Sequence, residues 1–140
     1  KVYNQSNFKT IKNEIDASEN IILMQNRIPN EDVQHYFKAA NVCVCPYRIT
    51  LNSGVAHLSH TFGTPVIGPN VGGFKELLSN GGGLTFDQLD FDGLVSAMNE
   101  SLSMDFAKEK TKILEINSKY NPTEISSKFA QIVSRGDSNE

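Results

Sequence analysis

Tyr47-Arg48-Ile49-Thr50-Leu51-Asn52-Ser53-Gly54-Val55 and, one short helix further on, Phe62-Gly63-Thr64-Pro65-Val66-Ile67-Gly68-Pro69-Asn70-Val71-Gly72-Gly73-Phe74-Lys75-Glu76 decide how this chain is read. The apolar run Val42 to Pro46 ahead of them predicts a strand, and Asn52 or Ser53 is placed to cap the helix that follows. Gly54 lacks the Cβ that would hold an oxyanion at a distance. Backbone N–H groups and the positive end of the helix dipole then face the loop, and Arg48 adds a guanidinium fork to it. Strand, polar loop, helix, strand, glycine loop, helix is the order that binds phosphorylated nucleotides. The structural alternative is an ordinary capped helix beside an exposed arginine.

Composition limits what such a loop can serve. At 140 residues the chain has the length of one domain, and 39% apolar with 21% charged residues is a globular composition. No apolar run approaches the roughly 20 residues of a membrane span, and no signal peptide is visible. A net charge of -3 argues against a nucleic-acid surface, so phosphate chemistry has to be local. Cys43 and Cys45 lie two apart in the strand, on one face and too widely spaced for an easy disulfide. They read as buried thiols in a reduced, cytoplasmic setting. No second cysteine pair follows, and His35, His57 and His60 are not at zinc spacing, so no metal site is expected. The first residue is Lys1, and the chain reads as part of something longer, with 1–134 as one domain and 135–140 as a frayed polar tail.

Working outward, Phe8, Ile11 and Ile15 predict an amphipathic helix from Ser6 to about Ala17. Asn20 to Met24 predicts a buried strand. Asn30 opens a second helix with Val33, Tyr36, Phe37 and Ala40 inward. Val55, Leu58 and Phe62 predict the inner side of the third helix, which stops at Gly63, while His57 and His60 fall on its more polar side. Pro65 to Gly68 is a short strand, Phe74 to Leu78 a short helix, and Leu84 to Phe86 a strand after the flexible Gly81-Gly82-Gly83. Helices are expected over Phe91 to Ser101, Asp105 to Lys119 and Pro122 to Val133. Alternating strands and helices predict an α/β fold, a Rossmann-like parallel sheet of about four strands with flanking helices and right-handed crossovers.

The segments from Arg27-Ile28-Pro29-Asn30 through Tyr47-Arg48, then Asn52-Ser53-Gly54-Val55, Phe62 to Ile67, Val71-Gly72-Gly73 and Glu76, resemble the C-terminal, donor-binding domain of two-domain (GT-B) retaining glycosyltransferases of the group 1 type. The resemblance covers residues 20 to 100. It implies a nucleotide-diphosphate sugar at the C-terminal ends of the strands, with no cofactor and no metal. Arg27 and Ile28 would address the base. Arg48, Asn52, Ser53 and Gly54 would hold the diphosphate, with Gly72, Gly73 and Glu76 near the donor sugar. Arg48 and Glu76 are the candidate catalytic residues, and His57 the helix residue within reach of a ligand. The implied partners are an N-terminal domain of the same protein and a glycan or lipid-linked acceptor. Polysaccharide synthesis in the cytoplasm, with peripheral membrane association through that other domain, would fit.

One departure bears on activity. Many relatives carry two glutamates along this loop and helix, where this chain has Thr50 and Leu58. An epimerase of similar architecture would need clustered acid/base groups that the loop lacks. A nucleotide-binding subunit without catalysis is the third reading, and the missing glutamates keep it open beside the leading one, an enzyme. Glu76 also has a structural alternative, since a carboxylate in a first helical turn is favoured by the dipole alone.

Overall fold

The computed structural model describes residues 5–90, 92–118 and 122–136 and divides into two compact units, residues 1–30 and 31–140. In the first unit, α1 runs from Gln5 to Asp16 and carries a Lys12–Asp16 ion pair one helical turn apart. Residues 20–24 form no strand, and Ile22 is 85% exposed. A buried parallel strand needs ladder partners on its flanks, and the apolar run Ile21 to Met24 has none among the described residues. The strand predicted from Asn20 to Met24 does not form.

The second unit is built on a parallel sheet. It comprises α2 (Asn30–Ala39, its first residue shared with the boundary), β1 (Cys43–Val44), α3 (Gly54–Thr61), β2 (Val66–Pro69), α4 (Gly73–Leu77), β3 (Gly83–Phe86), α5 (Gly93–Ser101), α6 (Phe106–Ser118) and α7 (Pro122–Gly136). Among the described residues the sheet has three strands in the order β1-β2-β3, with Cys43 opposite Val66 and Val66 opposite Gly83. The helix α7 continues through Gly136, so the first two residues of the expected tail are helical. Phe91 and Lys119, expected at helix ends, lie outside the described residues.

Period-two alternation sorts the core onto the two faces of the sheet. Cys45 and Val66 join Ala56, Phe74 and Leu78 under α3 and α4, with Cys43 and Tyr47 packed against them. Val44 and Ile67 point the other way, toward Phe86, Ala97 and Leu94 of the α5 side. Cys45 is buried, whereas Cys43 is only half-buried, so one of the two expected buried thiols is partly open. Hydrogen bonding between the two sulfurs lowers the Cys43 thiol to about 7 and raises that of Cys45. At the start of β3, Gly83 has φ +151° and lies so close to the Val66 backbone that no side chain fits between the strands.

Candidate functional site

The β1–α3 loop and the α3 N-terminus stand where the sequence placed them. Ser53 is buried, and its Oγ accepts the Ala56 N–H at 3.2 Å, so this hydroxyl is the helix cap. The Ser53 carbonyl accepts from the His57 N–H, and the N–H groups of Gly54 and Val55 have no protein acceptor among the described residues. A Cβ built on Gly54 would meet nothing within 4 Å. The N-terminus of α3 therefore faces open space with unpaired donors, the arrangement suited to an anion.

Arg48 lies on the same loop, exposed, and lines a cavity of about 540 Å³ at the C-terminal ends of β1 and β3. Tyr47, Leu94 and the exposed Ile49 and Leu89 give this cavity apolar walls, and Gln88 and Asp90 give it polar ones. Crevices outside the carboxyl ends of parallel strands are where α/β sheets bind ligands.

Asn52, His57, Gly73 and Glu76 line a second cleft of about 300 Å³ between α3, α4 and α6. Arg48 and Glu76, paired as catalytic candidates in the sequence reading, thus open into different cavities. Gly72, at φ +56°, and Gly73 are pressed against the 50–52 loop, the Gly73 N–H donating to the Leu51 carbonyl at 2.7 Å. A Cβ at Gly72 would sit 2.5 Å from the Thr50 carbonyl oxygen, which explains a glycine there without any ligand. Thr50 spends its hydroxyl on the Asn52 carbonyl, and Leu58 is 39% exposed. Arg27 is exposed and Ile28 half-buried, both in the first unit, which is described by itself.

The far end of α3 corrects the expected inner face. Ala56, Ser59 and His60 are buried, while Val55 and Leu58 are partly exposed and Phe62 stacks on Phe37 with ring centroids 5.7 Å apart. His60 is not on a polar face. Its Nε2 bonds the Gly82 carbonyl at 2.9 Å, its own carbonyl accepts from Asn117 Nδ2 at 2.7 Å, and burial lowers its pKa. Small Ala56 and Ser59 let this side of the helix reach the sheet, and the bare Gly82 backbone leaves room for the ring. The glycine run is likewise no loose linker. The Gly82 N–H donates to Glu109 Oε2 at 2.9 Å, and its carbonyl also accepts from Val66 N at 3.0 Å. Burial opposes the charged form of Glu109, but bonds from Lys112 and Gly82 outweigh it and hold the carboxyl below its usual range.

His60, Thr61, Leu77, Asn80, Ile116 and Asn117 also line the second cleft, and Asn80, Ile116 and Asn117 carried no signal in the sequence, because they reach it from separate elements. Among the described residues, no three His, Cys, Asp or Glu side chains converge on a metal-sized site, and no helix is long and apolar enough to cross a membrane.

Parallel strands with helices on both faces and a crevice at their carboxyl ends make this a Rossmann-like α/β protein of the GT-B type. The chain belongs to the family described as glycosyl transferases group 1, whose sequence model matches residues 3–104. Among solved structures, sucrose-phosphate synthase from Thermosynechococcus elongatus is similar in fold, with a TM-score of 0.70 at 22% identity over 97% of this chain. The chain spans 35% of the length of that protein. No curated protein matches the chain.

Proposed function

We propose that this chain is the donor-binding part of a retaining glycosyltransferase, holding a nucleotide-diphosphate sugar whose sugar passes to a glycan or lipid-linked acceptor. The observation that carries the reading is the open N-terminus of α3, with Gly54 unobstructed and Arg48 exposed on the same loop at the strand ends. The diphosphate would lie against the Gly54 and Val55 N–H groups with the Arg48 guanidinium beside it. In the transfer, the bond from the anomeric carbon to the diphosphate breaks, a bond to the acceptor oxygen forms on the same face of the ring, and the acceptor hydroxyl's proton passes to the departing diphosphate. Charge gathers on the departing diphosphate, where fixed dipoles and a cation have most effect. The acceptor, and the other wall of the cleft, belong in this reading to an N-terminal domain of the same protein, working in the cytoplasm with no metal.

Because Glu76 opens into the other cleft, the reading rests on Arg48 and the helix end. A second reading, a nucleotide-sugar-binding subunit that does not turn over, is favoured by Thr50 and Leu58. The Thr50 hydroxyl is occupied within its own loop, and Leu58 offers no acceptor. Labelled nucleotide-sugars incubated with the protein joined to its N-terminal domain separate the two. Transfer to acceptor supports the enzyme, and binding without transfer supports the subunit.

A further inference from the structure

Between its two anchored ends the β1–α3 loop has little packing to hold it. Tyr47 meets the buried Phe74 edge-on, with ring centroids 6.0 Å apart, and Ser53 is buried at the helix cap. Of residues 48–52 between them, only Thr50 is half-buried, while Ile49 is 95% and Leu51 87% exposed. A loop with so few buried apolar contacts keeps one shape only through its hydrogen bonds.

Two such bonds are present. The Thr50 hydroxyl donates to the Asn52 carbonyl at 2.9 Å, and the Leu51 carbonyl accepts the Gly73 N–H at 2.7 Å. The Thr50 and Leu51 carbonyls also lie against Gly72, and Asn52 Oδ1 against Gly73, so closely that a Cβ on either glycine would collide with them. Loop and glycine turn are thus latched together. The latch has an electrostatic consequence, because a carbonyl oxygen carries partial negative charge and repels an anion. No atom of residues 50–52 comes within 4 Å of the Cβ position at Gly54, where the N–H groups are unpaired. Held in this way, the loop leaves donors at the open end and keeps its acceptors turned elsewhere.

We propose that Thr50 is a positioning residue for the diphosphate, its hydroxyl closing the latch that holds Arg48 and the α3 N-terminus in one fixed arrangement. The inference rests on the diphosphate reading of that end. A loop that its ligand must order spends part of the binding energy on the ordering, so a loop already latched binds more tightly. The position where many relatives carry a glutamate then serves the ligand without touching it.

The test compares the parent with Thr50→Val, which keeps the shape and removes the hydroxyl, and with Thr50→Ser, which keeps the hydroxyl. UDP, GDP, ADP and TDP and their nucleosides are titrated calorimetrically, and exchange of the Gly73 amide is followed in the free proteins. Thr50→Val is expected to weaken the tightest-binding diphosphate about fivefold, the loss of one neutral hydrogen bond, with its nucleoside and the melting temperature unaffected. Exchange at Gly73 is expected to quicken, as the Leu51 carbonyl loses its fixed place, and Thr50→Ser to restore both. Parent-like diphosphate binding by Thr50→Val overturns the inference, as does an equal loss for the nucleoside or a Thr50→Ser as weak as Thr50→Val. A loss of affinity with Gly73 exchange unchanged overturns it too, because the hydroxyl would then act by touching the ligand. If the parent binds none of the four diphosphates, the reading of the open end fails and the inference falls with it. If the parent binds and the variants match it, the inference alone fails.

Discussion

The two ends of α3 are built for different purposes. At its N-terminus the cap hydroxyl is buried, yet the next residue faces open space and the neighbouring Arg48 is exposed. At its C-terminal end, His60 is 1% exposed and tied to Gly82, which is tied in turn to Glu109 and Val66, while Asn117 holds the His60 carbonyl. One end is anchored so that the other can be left unpaired. The polar network at the closed end holds the helix in place against the sheet.

The comparison breaks first where the anchored end meets the sheet. Gly83→Ala forces a Cβ into the Val66 backbone, at a backbone angle that L side chains rarely adopt, and should cost more than about 3 kcal/mol by denaturant unfolding. Next, His60→Ala removes a buried ring and one of the bonds to the Gly82 carbonyl, for about 2–3 kcal/mol. Its pH dependence sharpens the point. Burial lowers the His60 pKa, so the unfolded chain takes up a proton near the ordinary value of about 6.5 while the folded chain does not. Stability is therefore full above that pH and falls as the solution is acidified below it. His60→Leu should flatten this part of the profile, leaving the loss at lower pH that accompanies protonation of Glu109. At the open end the effects on stability are smaller. Ser53→Ala should cost on the order of 1 kcal/mol through the lost cap, read as a lower melting temperature.

Much of the open end was legible in the sequence because it is local. A cap, a glycine and an arginine within a few residues are read without knowing what lies across the fold, and so is the period-two alternation of Val42 to Cys45. The closed end was not legible. His60 bonds a residue 22 positions away, and its side-chain type argued for solvent. The Gly81 to Gly83 run looked like a linker because its composition is that of one. Yet Gly82 is buried beneath His60 and Gly83 pairs with Val66. The apolar run at Ile21 to Met24 shows the converse failure: hydrophobicity fixes a strand only when another strand is present to pair with it. The Asn80, Ile116 and Asn117 walls come together only in three dimensions.

The central claim, that the open end of α3 with Arg48 binds a diphosphate, is tested most directly by calorimetric titration of a nucleoside diphosphate and of the matching nucleoside. The titrations would use the parent protein, Arg48→Ala and Gly54→Val. The account predicts that both variants keep the parent's melting temperature to within about 1 kcal/mol of stability, since Arg48 is exposed and a Cβ at Gly54 meets nothing. It predicts that each weakens the diphosphate tenfold or more, equivalent to roughly 1.4 kcal/mol, while leaving the nucleoside almost unchanged. Equal losses for nucleoside and diphosphate, or undiminished diphosphate binding by Gly54→Val, would contradict it.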